Sequence, residues 1–125
     1  MGKKRILVVD DEKSFTSLLK LNLEETGHYD VRVENWPEDA LAAAKEFKPD
    51  LVLLDIIMPR LPGGNVAAQI KNDPHLKQTP IVFLTAAVRK HQVEENDGII
   101  CDFPCLAKPA TVETIIEMIE KHARK

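Results

Sequence analysis

Cysteine is almost missing from this chain. Cys101 and Cys105 are its only two thiols, and His91 is the nearest histidine. Two cysteines exclude a dense disulfide framework and fall short of a zinc site, which wants four Cys or His ligands at suitable spacing. In a reducing compartment they serve as small apolar side chains. Aromatic residues make up only 5% and nowhere interleave with Lys and Arg. Nor is there a basic excess: 17 Lys and Arg stand against 20 Asp and Glu, giving a net charge of −3 and a pI near 5.8. A nucleic-acid-binding domain carries a basic stripe or patch, so no nucleic-acid partner is expected. No apolar run approaches the ~20 residues of a membrane span. Lys3, Lys4 and Arg5 precede an apolar run too short for a signal-peptide core. The expectation is a soluble, cytoplasmic protein with no membrane partner. Internal repeats, linkers and low-complexity tracts are absent too.

What is present is a regular alternation. At 125 residues and 44% hydrophobic, the chain is long enough to bury a core without staples and short enough for one domain. Residues 1–125 are therefore expected to form a single domain with no output domain attached. Ile6–Val9, Leu51–Leu54 and Ile81–Leu84 are continuous apolar runs that read as buried strands. Tyr29, Val31 and Val33 alternate with Asp30, Arg32 and Glu34, a strand with one wetter face. Between them lie helical patterns: Phe15, Leu18, Leu19 and Leu23, stopped by Gly27; Ala40, Leu41 and Ala44 behind Pro37; Val66, Ala67 and Ile70. Thr111 is placed to cap a last helix with a stripe of Val112, Ile115, Ile116 and Ile119. From Val88 to Pro104 the pattern weakens. Val88 and Val93 suggest a short or irregular helix, "ENDG" breaks it, and Ile99 to Cys101 read as extended. Strands alternating with helices predict an α/β fold with a mostly parallel sheet covered on both faces.

The chemistry collects where the strands end. "ILVVDDE" runs straight into Asp10 and Asp11, with Glu12 behind them. Like charges about 4 Å apart repel by ~4 kcal/mol at an effective dielectric of about 20. Asp55 ends the next apolar run, Thr85 the one after, and Lys108 follows "PCLA". In open parallel sheets, ligands bind outside the carboxyl ends of the strands. Residues distant in sequence converge there: three carboxylates, a hydroxyl and an ammonium. Such a set suits a hard cation together with a phosphoryl group. A carboxylate can act as nucleophile toward phosphorus, while the cation, the hydroxyl and the ammonium neutralise the equatorial oxygens. Singly, each residue has a plainer role: a strand-end Asp can cap the next helix, Asp55 can serve a turn, and Thr85 and Lys108 can be structural or solvated.

The ordered set "ILVVDDE", "PDLVLLDIIMPRLPGG", "PIVFLTA" and "LAKP" resembles the receiver domain of two-component response regulators, from Arg5 to the final helix. The resemblance implies a flavodoxin-like, doubly wound, five-stranded parallel sheet of order 2-1-3-4-5 flanked by five helices, the fourth short or irregular here. It implies Asp55 as phosphoacceptor, taking its phosphoryl group from the phosphohistidine of a histidine kinase or phosphotransfer protein. Mg²⁺ (or Mn²⁺) would be held by Asp11, Asp55 and the backbone carbonyl of Ile57, with Asp10 acting through a water. Thr85 and Lys108 would bind the phosphoryl group, and Pro109 would fix the Lys108 loop. The domain would catalyse its own phosphorylation and dephosphorylation without being a conventional enzyme. The modified domain would switch a face read by a downstream protein, as a monomer or a phosphorylation-dependent dimer.

Two departures from the family pattern stand out. Cys105 occupies the position where Tyr or Phe is usual, so the aromatic half of the common Thr-plus-aromatic switch is missing there. Phe103, two residues earlier, would share the face of Cys105 on a regular strand. Ile57 and Ala87, two residues beyond Asp55 and Thr85, cannot position an attacking water, which predicts slow self-dephosphorylation. A Mg²⁺-dependent phosphohydrolase would place a second Asp where Ile57 stands and would carry a cap insertion. The alternative that keeps the fold is a pseudo-receiver, a binding scaffold that works without phosphate.

Overall fold

The computed structural model describes residues 2–56, 58, 61–85, 99–100, 103–108 and 110–123. The sequence expectations for Cys101, for Ala87 and for the helix suggested by Val88 and Val93 lie outside the described residues. The elements are β1 (Lys4–Val9), α1 (Lys13–Glu25), β2 (Tyr29–Glu34), a 3₁₀ turn (Pro37–Asp39), α2 (Ala40–Phe47), β3 (Leu51–Leu54), α3 (Gly63–Asn72), β4 (Ile81–Thr85), β5 (Ile99–Ile100), β6 (Phe103–Ala107) and α4 (Val112–His122).

The sheet runs β2-β1-β3-β4-β6-β5. Its first five members pair in parallel. Counted alone they have the order 2-1-3-4-5, so the flavodoxin-like doubly wound sheet read from the motifs is the one observed. β5 adds a two-residue antiparallel edge, with Ile99 opposite Pro104 and Ile100 opposite Phe103. It is the extended segment read from Ile99 and Ile100.

Strand alternation divides the core into two layers. Leu7, Val9, Val52, Leu54, Ile81, Phe83 and Cys105 face Ala40, Ala43 and Ala44 of α2 and Val66, Ala67 and Ile70 of α3. Ile6, Val8, Leu51, Leu53, Val82 and Leu84 face Leu19 and Leu23 of α1 and Ile115 and Ile119 of α4. Every residue of β3 is buried, as a central strand covered on both faces must be. Truncating a side chain such as Leu53 or Leu54 to Ala costs about 2–5 kcal/mol.

Local signals set the helix ends. After α1 the chain turns through Thr26 to Gly27, whose φ of +80° favours glycine. At the start of α4 the Thr111 hydroxyl accepts the Thr114 N–H at 3.1 Å, and Thr111 is the expected cap. One position departs from the helical stripe. Leu18 is 59% exposed although Leu19 and Leu23 are buried, because only part of the apolar arc of α1 meets the sheet.

Candidate functional site

β1 and β3 end side by side. Val9 stands opposite Leu54. Asp55 N–H donates to the Val9 carbonyl at 3.0 Å, and Asp10 N–H donates to the Glu34 carbonyl at 3.1 Å. Asp10 and Asp55 therefore leave adjacent strands at one level, and Asp11 follows immediately. A carboxylate oxygen from each of Asp10, Asp11 and Asp55 lies within 4.8 Å of the others. Asp10 and Asp55 are buried and Asp11 is exposed. At that spacing each charged pair repels by about 3–4 kcal/mol at an effective dielectric of ~20. The donor set is all oxygen and open on the Asp11 side. It fits a hard divalent cation that keeps some of its water, such as Mg²⁺.

The other edge of the site comes from β4 and β6. Thr85 closes β4 opposite Ala107, and Lys108 is the next residue. Lys108 reaches back across the sheet edge: its Nζ donates to Asp10 Oδ2 at 2.6 Å and to Glu12 Oε1 at 3.1 Å. The same ammonium sits 4.3 Å from the centre of the Phe15 ring. The five chemistry-bearing residues read from the strand ends thus reach one edge, with Thr85 placed there by its backbone. Ile57 and Pro109 lie outside the described residues.

Asp10 carries two jobs. Its Oδ1 accepts the Glu12 N–H at 2.9 Å, an Asx turn that steers the chain into α1. Its Oδ2 faces Lys108. Burial pushes the Asp10 carboxyl above its ordinary value, and the Lys108 and Glu12 hydrogen bonds offset only part of that. For Lys108, burial pulls downward, but the hydrogen bond and charge of Asp10, with the Glu12 hydrogen bond and the Asp55 charge, together outweigh it and leave the ammonium above an ordinary lysine. Both groups shift upward, Asp10 because burial dominates and Lys108 because its acidic partners do; Asp10 loses more water, its side chain being 2% exposed and that of Lys108 12%.

Cys105 lies in the middle of β6 and is buried. Burial pushes its thiol up to about 11, so it stays protonated near neutrality and acts as the small apolar side chain expected. Phe103 does share its face. Its ring meets Phe83 edge-on at 5.5 Å, and the Lys71 ammonium lies 5.8 Å from the ring centre.

Four residues serve the site in roles that were not read from the sequence. Glu12 and Phe15 hold the Lys108 ammonium. Asn35 Nδ2 donates to the Asp10 carbonyl at 2.8 Å and to Thr16 Oγ1 at 2.9 Å, tying the turn after β1 to α1 and β2. Gly63 opens α3 against the backbone of Asp55 and Ile56, with its N–H donating to the Ile56 carbonyl at 2.7 Å. A Cβ there would stand 2.1 Å from the Asp55 carbonyl oxygen, whereas one at Gly64 would meet nothing within 4 Å. The available signal was "PGG" directly after the Asp55 loop, a glycine starting a helix where a better helix former is usual.

A family model of the response regulator receiver domain matches residues 6–120. The chain belongs to this family. The receiver is 31% identical over 119 residues to the polar-differentiation response regulator DivK of Brucella anthropi, covering 95% of each chain. It is 46% identical over 83 residues to the alkaline phosphatase synthesis transcriptional regulatory protein PhoP of Bacillus subtilis, covering 66% of the receiver and 33% of PhoP. It is 30% identical to the DNA-binding dual master transcriptional regulator RpaA of Synechocystis, over 97% of the receiver and 49% of RpaA. The chain thus spans nearly all of DivK but a third to a half of the two larger regulators. Among solved structures, the Vibrio cholerae chemotaxis protein CheY4 matches the receiver with a TM-score of 0.81 at 25% identity, covering 96% and 98% of the two chains. The N-terminal domain of a response regulator receiver protein from Methanoculleus marisnigri matches with a TM-score of 0.71 at 31% identity, covering 96% of both. Among the described residues, no helix is long and apolar enough to cross a membrane.

Proposed function

We propose that this receiver accepts a phosphoryl group on Asp55 and, once modified, changes a face that a downstream protein reads. The donor is the phosphohistidine of a histidine kinase or phosphotransfer protein. The observation that carries the reading is the meeting of Asp10, Asp11 and Asp55 within 4.8 Å, with Lys108 bonded to Asp10. An Asp55 carboxylate oxygen attacks phosphorus as the phosphorus–nitrogen bond breaks, and the departing imidazole takes a proton from solvent. Asp11, Asp55 and the Ile57 carbonyl would hold the metal, with Asp10 acting through a water. A bound Mg²⁺, or Mn²⁺ in its place, would neutralise the carboxylates and the charge that builds on the phosphoryl oxygens. Lys108 pairs with one phosphoryl oxygen and the Thr85 hydroxyl hydrogen-bonds another. Pro109 fixes the loop that presents Lys108. Residues 1–125 act as one unit in this role.

Phosphorylation exchanges the single negative charge of the Asp55 carboxylate for the nearly two of a phosphoryl group and adds three acceptor oxygens at a fixed point. Residues that move toward them bias a two-state face. With Cys105 in the usual aromatic position, Thr85 and the Phe103 side of β6 carry that response. Incubation with acetyl phosphate and Mg²⁺, followed by intact mass, tests the reading. One added phosphoryl group, absent in Asp55→Ala, supports it. No adduct with acetyl phosphate or with a cognate kinase leaves a pseudo-receiver scaffold.

A further inference from the structure

Lys108 has a resting position that the acidic site alone does not require. Of the three carboxylates that converge, it bonds one, Asp10 at 2.6 Å. Its other hydrogen-bond and ring partners among the described residues belong to the first turn of α1 and the residue before it. Glu12 Oε1 accepts from Nζ at 3.1 Å, and the Phe15 ring centre lies 4.3 Å away. Glu12 is not among the carboxylates that could share a cation. Its side chain is 61% exposed while that of Lys108 is 12% exposed, so it reaches over the ammonium from the solvent side. An ammonium has three N–H donors. Two are committed to carboxylates here, and the aromatic face takes up part of the remaining charge.

We propose that Glu12 and Phe15 form a resting cradle for Lys108, which makes Lys108 a two-position residue that leaves α1 to reach a phosphoryl group on Asp55. The inference rests on the reading of Asp55 as phosphoacceptor. Glu12 and Phe15 are then positioning residues that act through Lys108 and bias the domain toward its unmodified state. The move has a consequence on the surface. Glu12, Phe15, Leu18 and Lys108 all line one groove of about 460 Å³ between α1 and α4. Withdrawal of Lys108 uncovers the Phe15 ring and leaves the Glu12 charge unpaired, so this groove becomes more acidic when Asp55 is modified.

The test uses the whole chain, ¹³C-labelled at lysine, with beryllium fluoride and saturating Mg²⁺ as the acyl-phosphate mimic. In the resting protein the Lys108 methylene signals nearest the ammonium are expected upfield, shielded by the Phe15 ring, and Phe15→Leu returns them to ordinary lysine positions. Beryllium fluoride should move the wild-type signals the same way. Glu12→Gln should tighten beryllium fluoride binding by between about one-and-a-half and fivefold, the range of an exposed ion pair, with Glu12→Asp falling between the two. A wild type that phosphorylates at Asp55 while its Lys108 signals stay shielded overturns the cradle alone. So does a Glu12→Gln protein that binds the mimic more weakly. A wild type that takes neither phosphoryl group nor mimic overturns the phosphoacceptor reading, and the second position of Lys108 with it.

Discussion

Gly63→Ala should damage both stability and phosphorylation, while Gly64→Ala, one residue on, should do neither. A Cβ at Gly63 would lie 2.1 Å from the Asp55 carbonyl oxygen, 2.8 Å from the Ile56 Cα and 2.9 Å from the Asp55 carbonyl carbon. All three are backbone atoms, so no side chain can swing aside. Relaxed carbon–oxygen contacts lie at roughly 3.3 Å, so α3 and the Asp55–Ile56 peptide must part by about 1 Å. Overpacking of this kind costs about 1–3 kcal/mol. The Gly63 N–H to Ile56 carbonyl hydrogen bond at 2.7 Å would lengthen with the shift and add to the loss. Displacing the nucleophile's backbone by ~1 Å can slow the chemical step by about 100-fold. At Gly64 the space is open, and Ala stabilises by about 0.4–1 kcal/mol by restricting the unfolded chain. Urea unfolding gives the stabilities, and intact mass against time with acetyl phosphate gives the rates. A Gly63→Ala protein as stable as wild type and equally quick to phosphorylate refutes the close-approach argument. Equal losses at both glycines would point to helix propensity instead.

Three other outcomes follow from the site and its supports. Mg²⁺ at ~100 times its dissociation constant should stabilise the folded receiver by about 2.7 kcal/mol. Thermal unfolding should show that gain and its loss in Asp55→Ala, whereas equal gains in both would remove Asp55 from the metal site. Slow self-dephosphorylation is expected from Ile57 and Ala87. Acyl-phosphate decay should quicken in Ile57→Asn, and a wild-type lifetime of seconds that the substitution leaves unchanged contradicts it. Glu120 accepts from the Tyr29 hydroxyl at 2.5 Å and pairs with Lys4 at 2.9 Å. The Tyr29 bond first, and then Lys4, holds its carboxyl below the ordinary glutamate value. A carboxylate with a depressed folded pKa stabilises above its unfolded value and loses that contribution as pH falls through the folded one. Glu120→Gln should therefore melt lower than wild type at about pH 7, with the gap closing as pH drops below ~4. A gap that persists in acid would assign the loss to packing.

The sheet and the site were legible for the same reason. Four-residue apolar runs can hide only in a sheet covered on both faces, and the carboxylates that stop them mark its carboxyl edge. Val9 and Leu54 sit in register, so Asp10 and Asp55, each one residue further on, meet without any further information. Gly27 and Thr111 were legible as chain punctuation because their roles are local. What stayed hidden depends on distances between elements. The closeness of Gly63 to the Asp55 carbonyl is set by how α3 docks. Asn35 reaches Asp10 because β2 lies beside β1. Leu18 and Leu19 follow one another in the same apolar pattern, and only the packing of α1 decides that one is exposed and the other buried. Lys108 was placed at the correct edge, but its partners Glu12 and Phe15 lie 96 and 93 residues earlier, and no periodicity connects them.

The proposed function turns on Asp55 as the phosphoacceptor, and locating the acyl phosphate is the sharpest test of it. Protein treated with acetyl phosphate and Mg²⁺ can be reduced with borohydride, which converts a phosphorylated aspartate to homoserine, and then mapped by peptide mass. Homoserine is expected at position 55 alone, formed only when Mg²⁺ is present. Homoserine at position 10 or 11, or an unmodified map from protein that a cognate kinase also fails to label, would contradict it.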